Sequence, residues 1–208
     1  IPFKLVGSFG FFNKKEIKDL IAYLKLINNP KDDISFLRIV NYPTRGIGNK
    51  TIENLQKEAN NLNLSLYDSI KEEDKKLIIF KNLIEELKKG SKTMSLKNLE
   101  EEICDKTKII EDIKKDNDLE SSIREENIKE FITYVDNFEK DNESNLGEFL
   151  ENLILFSDKE NSDEADDKKV NLMTVHAVKG LEFKVVFVVG LEESLFPYQL
   201  SLENVKDV

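Results

Sequence analysis

Two short stretches hold the residues whose types and spacing could do chemistry. The first, "LMTVHAVKGLEF" at 172–183, contains the only histidine of the chain. Zinc is a poor guess for it, because a zinc site needs three or four His, Cys or carboxylate ligands and the sequence offers one His and one Cys. The stretch follows an apolar run that reads as a strand, and the loop after a parallel strand is where open α/β sheets bind ligands. There Thr174 can offer a hydroxyl, His176 can donate to a phosphate, Lys179 adds a cation and Gly180 permits close backbone approach. Glu182 is an acceptor suited to a ribose hydroxyl. The same residues also fit a plainer arrangement, in which His176 caps the strand and Glu182 is a solvated acid.

The second stretch, "PTRGIGNKT" at 43–51, has a Gly-hydrophobic-Gly core, Gly46, Ile47 and Gly48. Glycine opens backbone angles closed to other residues, so such a hairpin can turn its amides outward. Thr51 starts a helix whose positive end faces the same way, and Arg45 and Lys50 flank the hairpin with charge. A surface of this kind grips a phosphate without reading base sequence. The alternative is a tight connection between two helices in which glycine serves only the turn.

Charge is unevenly spread around these stretches. The formal net charge of the 208 residues is -10, yet residues 1–57 carry ten Lys/Arg against five Asp/Glu, a local +5. A solvated helix face accounts for that as readily as a nucleic-acid surface does. Hydrophobic residues make up 39% and charged residues 35%, the balance of a helix-rich chain with no apolar run long enough to span a bilayer. The single Cys104 reads as a small packed hydrophobe. With no leader-like opening, it suggests a reducing cytoplasm. The start "IPFKLVG" lacks Met and begins inside a strand-like run, which reads as a piece of something larger.

The elements that must position the two stretches follow from periodicity. "IPFKLVGS" alternates as a short strand. Asn13, with Glu16 three residues on, has the spacing of a capping box, and Ile17, Leu20, Ile21, Leu24 and Ile27 then form one helical stripe. Ser35 is placed to cap a short helix through Val40, and another helix begins near Thr51. From Leu64 to Phe156 the period stays helical, with stripes such as Leu77/Phe80/Leu83/Ile84/Leu87 and Ile128/Phe131/Ile132/Val135/Phe138. The segment 157–169, with six acidic residues, reads as a surface linker. Beyond it "VNLMTV" and "KVVFVVG" read as strands, the second buried on both faces. The expected fold is α/β, a parallel-sheet layer interrupted by a large, mostly α-helical insertion, with helix predominant overall.

The segments "VNLMTVHAVKGLEFKVVFVVGLEESLFP" and "IPFKLVGSFGFFNKKEIKDLIAYLKLINNPKDDISFLRIVNYPTRGIGNKTIENL" closely resemble superfamily 1 DNA helicases of the UvrD/PcrA/Rep type, the first matching their motif V. The middle, about 64–165, matches in length, helicity and position. The Lys-, Asn- and Ile-rich character suggests the PcrA branch. The resemblance implies that 1–31 and 166–208 are two parts of a RecA-like motor domain, 2A, and that 32–165 is the inserted domain 2B, with a helix-hairpin-helix element at 35–62. It puts Thr174, His176 and Lys179 on a single-stranded DNA track, and Gly180 and Glu182 at an ATP cleft. It puts Arg45, Gly46, Ile47, Gly48, Lys50 and Thr51 on duplex DNA. Lys14 stands where the family has a DNA-contacting Arg, which keeps the charge and loses the planar fork. Tyr198 follows "FP" where a His is common; it can stack on a base but is no cation.

The parent enzyme implied is an ATP-dependent 3'-5' DNA helicase of the bacterial cytoplasm and nucleoid, acting in repair or replication. It would use ATP and Mg, with single-stranded and duplex DNA and the remaining motor domain as partners. The chain itself has no G-x-x-x-x-G-K-[ST] loop and no magnesium motif, so the expectation for it alone is no ATP hydrolysis. The alternative is a standalone DNA-binding or protein-interaction module without motor activity.

Overall fold

The computed structural model describes residues 3–6, 9–142, 145–161, 170–173, 178 and 181–191. The chain divides into two units, Ile1–Gly7 with Lys168–Val208, and Ser8–Asp167. In the first, β1 (Phe3–Val6) pairs in parallel with β2 (Val170–Met173), Phe3 opposite Val170 and Val6 opposite Met173. Two of the three expected strands thus form, and they are neighbours although the whole second unit lies between them in sequence. The third expected strand does not form: 184–190 has no ladder partner among the described residues, and Val185, Phe187 and Val189 are 70%, 85% and 87% exposed. A β-branched run favours extended backbone, but pairing on both sides is what makes it a buried strand.

The second unit is helical. It runs α1 (Phe9–Asn13), α2 (Lys15–Asn28), α3 (Asp33–Ile39), α4 (Asn49–Leu62) and α5 (Lys75–Gly90). It continues through α6 (Leu96–Thr107), α7 (Ile109–Lys114), α8 (Leu119–Asp141) and α9 (Leu146–Asn161). Its centre is α2, which packs against α3, α5, α8 and α9. Besides Ile17, Leu20, Leu24 and Ile27, its Ala22, Tyr23 and Leu26 are buried, so the helix is enveloped on more than the one stripe its period suggests.

The expected core stripes are buried through Leu77, Phe80, Ile84, Leu87, Ile128, Phe131, Val135, Phe149 and Leu153. Three local expectations change. The N-cap of α2 is Lys14, not Asn13, and Glu16 turns instead to Asn127, whose Nδ2 donates to Glu16 Oε1 at 2.6 Å. The cap of α3 is Asp32, which accepts from the Ser35 amide at 3.0 Å; a carboxylate one turn earlier outcompetes the hydroxyl. Helix α9 runs on through 157–161, where nothing in "SDKEN" breaks a helix, and the rest of the expected linker, 162–169, lies outside the described residues.

Candidate nucleic-acid interface

Between α3 and α4 the chain turns through residues 40–48, anchored inward by buried Val40 and Ile47. One side chain organises the turn. Asn41 Oδ1 accepts the amides of Arg45 at 2.9 Å and Ile47 at 3.0 Å, which faces both toward the turn's interior. Gly46, between them, has φ +68, a left-handed angle that disfavours any side chain. Gly48 is different: its φ of -83 and ψ of 163 are ordinary extended angles, so its glycine character is not required by the backbone. The expectation of two special glycines therefore reduces to one.

Gly48 is the N-cap of α4 and provides no side-chain cap, and no acidic residue lies in the first turn. Its carbonyl takes the amides of Thr51 at 3.0 Å and Ile52 at 3.3 Å. Gly48, Asn49 and Lys50 are exposed, and their amides have no protein acceptor among the described residues. Open amides at the positive end of a 14-residue helix can donate to an oxyanion. Lys50 carries its charge in that turn, while half-buried Thr51 sits one residue further in.

Arg45 points the other way. Its Nη1 donates to the carbonyls of Ile39 and Tyr42, both at 2.9 Å, and of Pro43 at 3.2 Å, while Nη2 donates to Tyr23 Oη at 2.6 Å. The guanidinium also lies 5.9 Å from the Tyr23 ring and 5.2 Å from Phe80. Tyr23 Oη in turn donates to the Tyr42 carbonyl at 2.5 Å. Burial, only partly offset by Arg45, pushes the Tyr23 hydroxyl up to about 12. From the far side, Arg124 of α8 donates to Tyr42 Oη at 3.2 Å and lies 3.8 Å from Glu16, an ion-pair distance. Burial likewise raises the Tyr42 hydroxyl.

Other cations of the basic end are also engaged. Lys14 Nζ donates to Asn127 Oδ1 at 2.5 Å and sits over the Phe11 ring at 5.3 Å. Arg38 Nε is 2.7 Å from buried Asp19 and its Nη2 reaches the Lys15 carbonyl at 3.2 Å. The local surplus of positive charge is thus only partly presented to solvent. Lys50 remains exposed, and Lys76 of α5, which the sequence reading passed over, joins it: its Nζ donates to the Gly46 carbonyl at 2.6 Å. No spacing rule finds Lys76, because 30 residues separate the two.

Thr174, His176, Lys179, Gly180 and Tyr198 lie outside the described residues. Of the residues assigned to an ATP cleft only Glu182 is described, as an exposed carboxylate in an irregular segment. Among the described residues no group of three His, Cys, Asp or Glu could hold a metal ion.

The family described as UvrD-like helicase C-terminal domain matches residues 1–207. This chain belongs to that family. As a UvrD-like C-terminal domain it is similar to the ATP-dependent DNA helicase PcrA of Bacillus subtilis (strain 168), 40% identical over 217 residues, covering 97% of this chain and 29% of the relative. It is 38% identical over 220 residues to the PcrA of Staphylococcus aureus (strain Mu50), covering 100% of this chain and 30% of that protein. With the PcrA of Staphylococcus epidermidis (strain RP62A) the figures are 37%, 100% and 30%. The chain thus spans about three tenths of the length of these relatives.

Proposed function

We propose that this UvrD-like C-terminal domain is part of an ATP-dependent 3'-5' DNA helicase and that its helical unit holds duplex DNA by the hairpin at 40–51. The observation that carries the reading is the pairing of Gly46, at a left-handed φ, with the open N-terminus of α4. Together they leave exposed amides where a duplex phosphate can be gripped irrespective of sequence. In this reading 1–31 and 166–208 belong to the motor domain, with Thr174, His176 and Lys179 on the single strand and Gly180 and Glu182 toward ATP. The inserted domain then covers 32–165.

The hairpin is tested by Gly46→Ala. A Cβ at Gly46 would lie 2.8 Å from Lys76 Nζ, which a flexible side chain can vacate, but the left-handed φ remains. At about 1–2 kcal/mol for an L-residue in that region, the amides should be re-aimed and duplex affinity should fall roughly fivefold to thirtyfold. Affinity for an oligothymidine should not change. Fluorescence anisotropy on a blunt hairpin duplex and on the single strand makes the comparison, after circular dichroism shows the variant folded. A folded variant that binds duplex as before would remove the hairpin from the interface.

A further inference from the structure

Resting on that reading, we infer that the cation this hairpin presents to a phosphate beside its amides is Lys76 of α5, and that Arg45 is a positioning residue acting from inside the fold. Arg45 looks from sequence like the natural phosphate ligand, standing directly before Gly-Ile-Gly. Its guanidinium, however, has acceptors in three carbonyls and one hydroxyl, and it lies against two aromatic rings. Three of those acceptors, Ile39, Tyr42 and Pro43, belong to the end of α3 and the first half of the turn, so the side chain ties the second half of the hairpin to the first. Turning outward to a phosphate would leave the Ile39 carbonyl its bond from the Tyr42 amide and the Tyr42 carbonyl its bond from Tyr23, but would take the donor from the Pro43 carbonyl and from the oxygen of fully buried Tyr23.

Lys76 has the opposite character. It is exposed, and one of its three ammonium protons is directed to the Gly46 carbonyl, which leaves two for an oxyanion at the same spot. No carboxylate lies within ion-pair distance of it among the described residues. It also sits with Lys75 in the first turn of α5, which contains no acidic residue. Cations there oppose the helix dipole, and the N-cap carboxylate, Asp74, makes no cap hydrogen bond. A phosphate on the hairpin offsets that repulsion.

The two roles separate in salt dependence. Each lysine or arginine that neutralises a phosphate adds about 0.9 to the slope of log affinity against log salt, whereas a residue that only holds backbone shape adds nothing. For Lys76→Gln the expected result is a duplex affinity lowered roughly threefold to tenfold at low salt, a slope flatter by about one, and a gap that closes as salt rises. Lys76→Arg should restore the slope. For Arg45→Gln the affinity should fall by a similar factor at every salt, with the slope of the parent chain. Hydrogen exchange at the Arg45 and Ile47 amides, bound by Asn41, should also quicken. Should Arg45→Gln fail to fold, Tyr23→Phe removes one of its acceptors and should quicken exchange at the same two amides with the slope unchanged.

A flattened slope in Arg45→Gln with an unaltered one in Lys76→Gln would reverse the assignment and overturn the inference. If the parent chain does not bind duplex at all, the hairpin reading fails and Lys76 loses its role with it. Exchange at the two amides then still decides whether Arg45 holds the turn.

Discussion

Glu100 of α6 is fully enclosed, and neither of its carboxylate oxygens has a hydrogen-bond partner among the described residues. Burial raises its carboxyl well above the ordinary 4.5. The unfolded chain therefore releases this proton at a lower pH than the folded one. The folded state has its full advantage below about 4.5 and loses it progressively as pH rises toward the folded value. Glu100→Gln keeps the shape without the ionisation. Urea titrations should show a higher midpoint for the variant at neutral pH and a gap that shrinks toward acid; a gap independent of pH would mean that folding leaves the affinity of Glu100 for its proton unchanged. Position 100 was legible in principle, because Leu96, Ile103, Cys104 and Thr107, at helical spacings from it, are all buried. An acid in a helix is ordinarily read as solvated, and that habit hides it. Arg45 misleads for a related reason: a sequence shows its charge but not the carbonyls of its own turn.

At the scale of elements, the helices were legible because three- and four-residue stripes persist through α2, α5, α8 and α9. Their ends were less so, since Asp32 against Ser35 and Lys14 against Asn13 are settled by geometry that spacing alone does not rank. The start of α4 permits a test that sets stability against binding. Gly48→Asp supplies the missing cap and a charge that complements the dipole, together worth about 0.5–1 kcal/mol of added stability. The same carboxylate occupies the place of a phosphate and repels its neighbours, so duplex affinity should drop about tenfold or more. Gly48→Asn, a neutral cap, should stabilise with a smaller loss of affinity. Thermal melts and duplex anisotropy on the same preparations read both quantities, and an aspartate variant that binds duplex normally would argue against a phosphate at this helix end.

For the whole molecule, the interruption of a parallel layer by helices was readable from the switch between period two and period three to four, and β1 pairing with β2 follows it. The strand at 184–190 was not, because composition reports compatibility with a buried sheet and says nothing of whether neighbours are there to bury it. Motor function is a separate matter. The chain holds no G-x-x-x-x-G-K-[ST] sequence to cradle a triphosphate, so the purified chain should release no phosphate from ATP above background, with or without single-stranded DNA. Turnover that follows the chain through successive purification steps would refute this and favour an ATP site of another kind.

The parallel pairing of Phe3–Val6 with Val170–Met173 also sets an order of events during synthesis. β1 is made before Ser8–Asp167, and its hydrogen-bonding partner only after it. At bacterial elongation rates that delay is on the order of ten to thirty seconds, long compared with the formation of helices. The helical unit can therefore complete its core while β1 waits with an unpaired edge, open to wrong partners in the crowded cell.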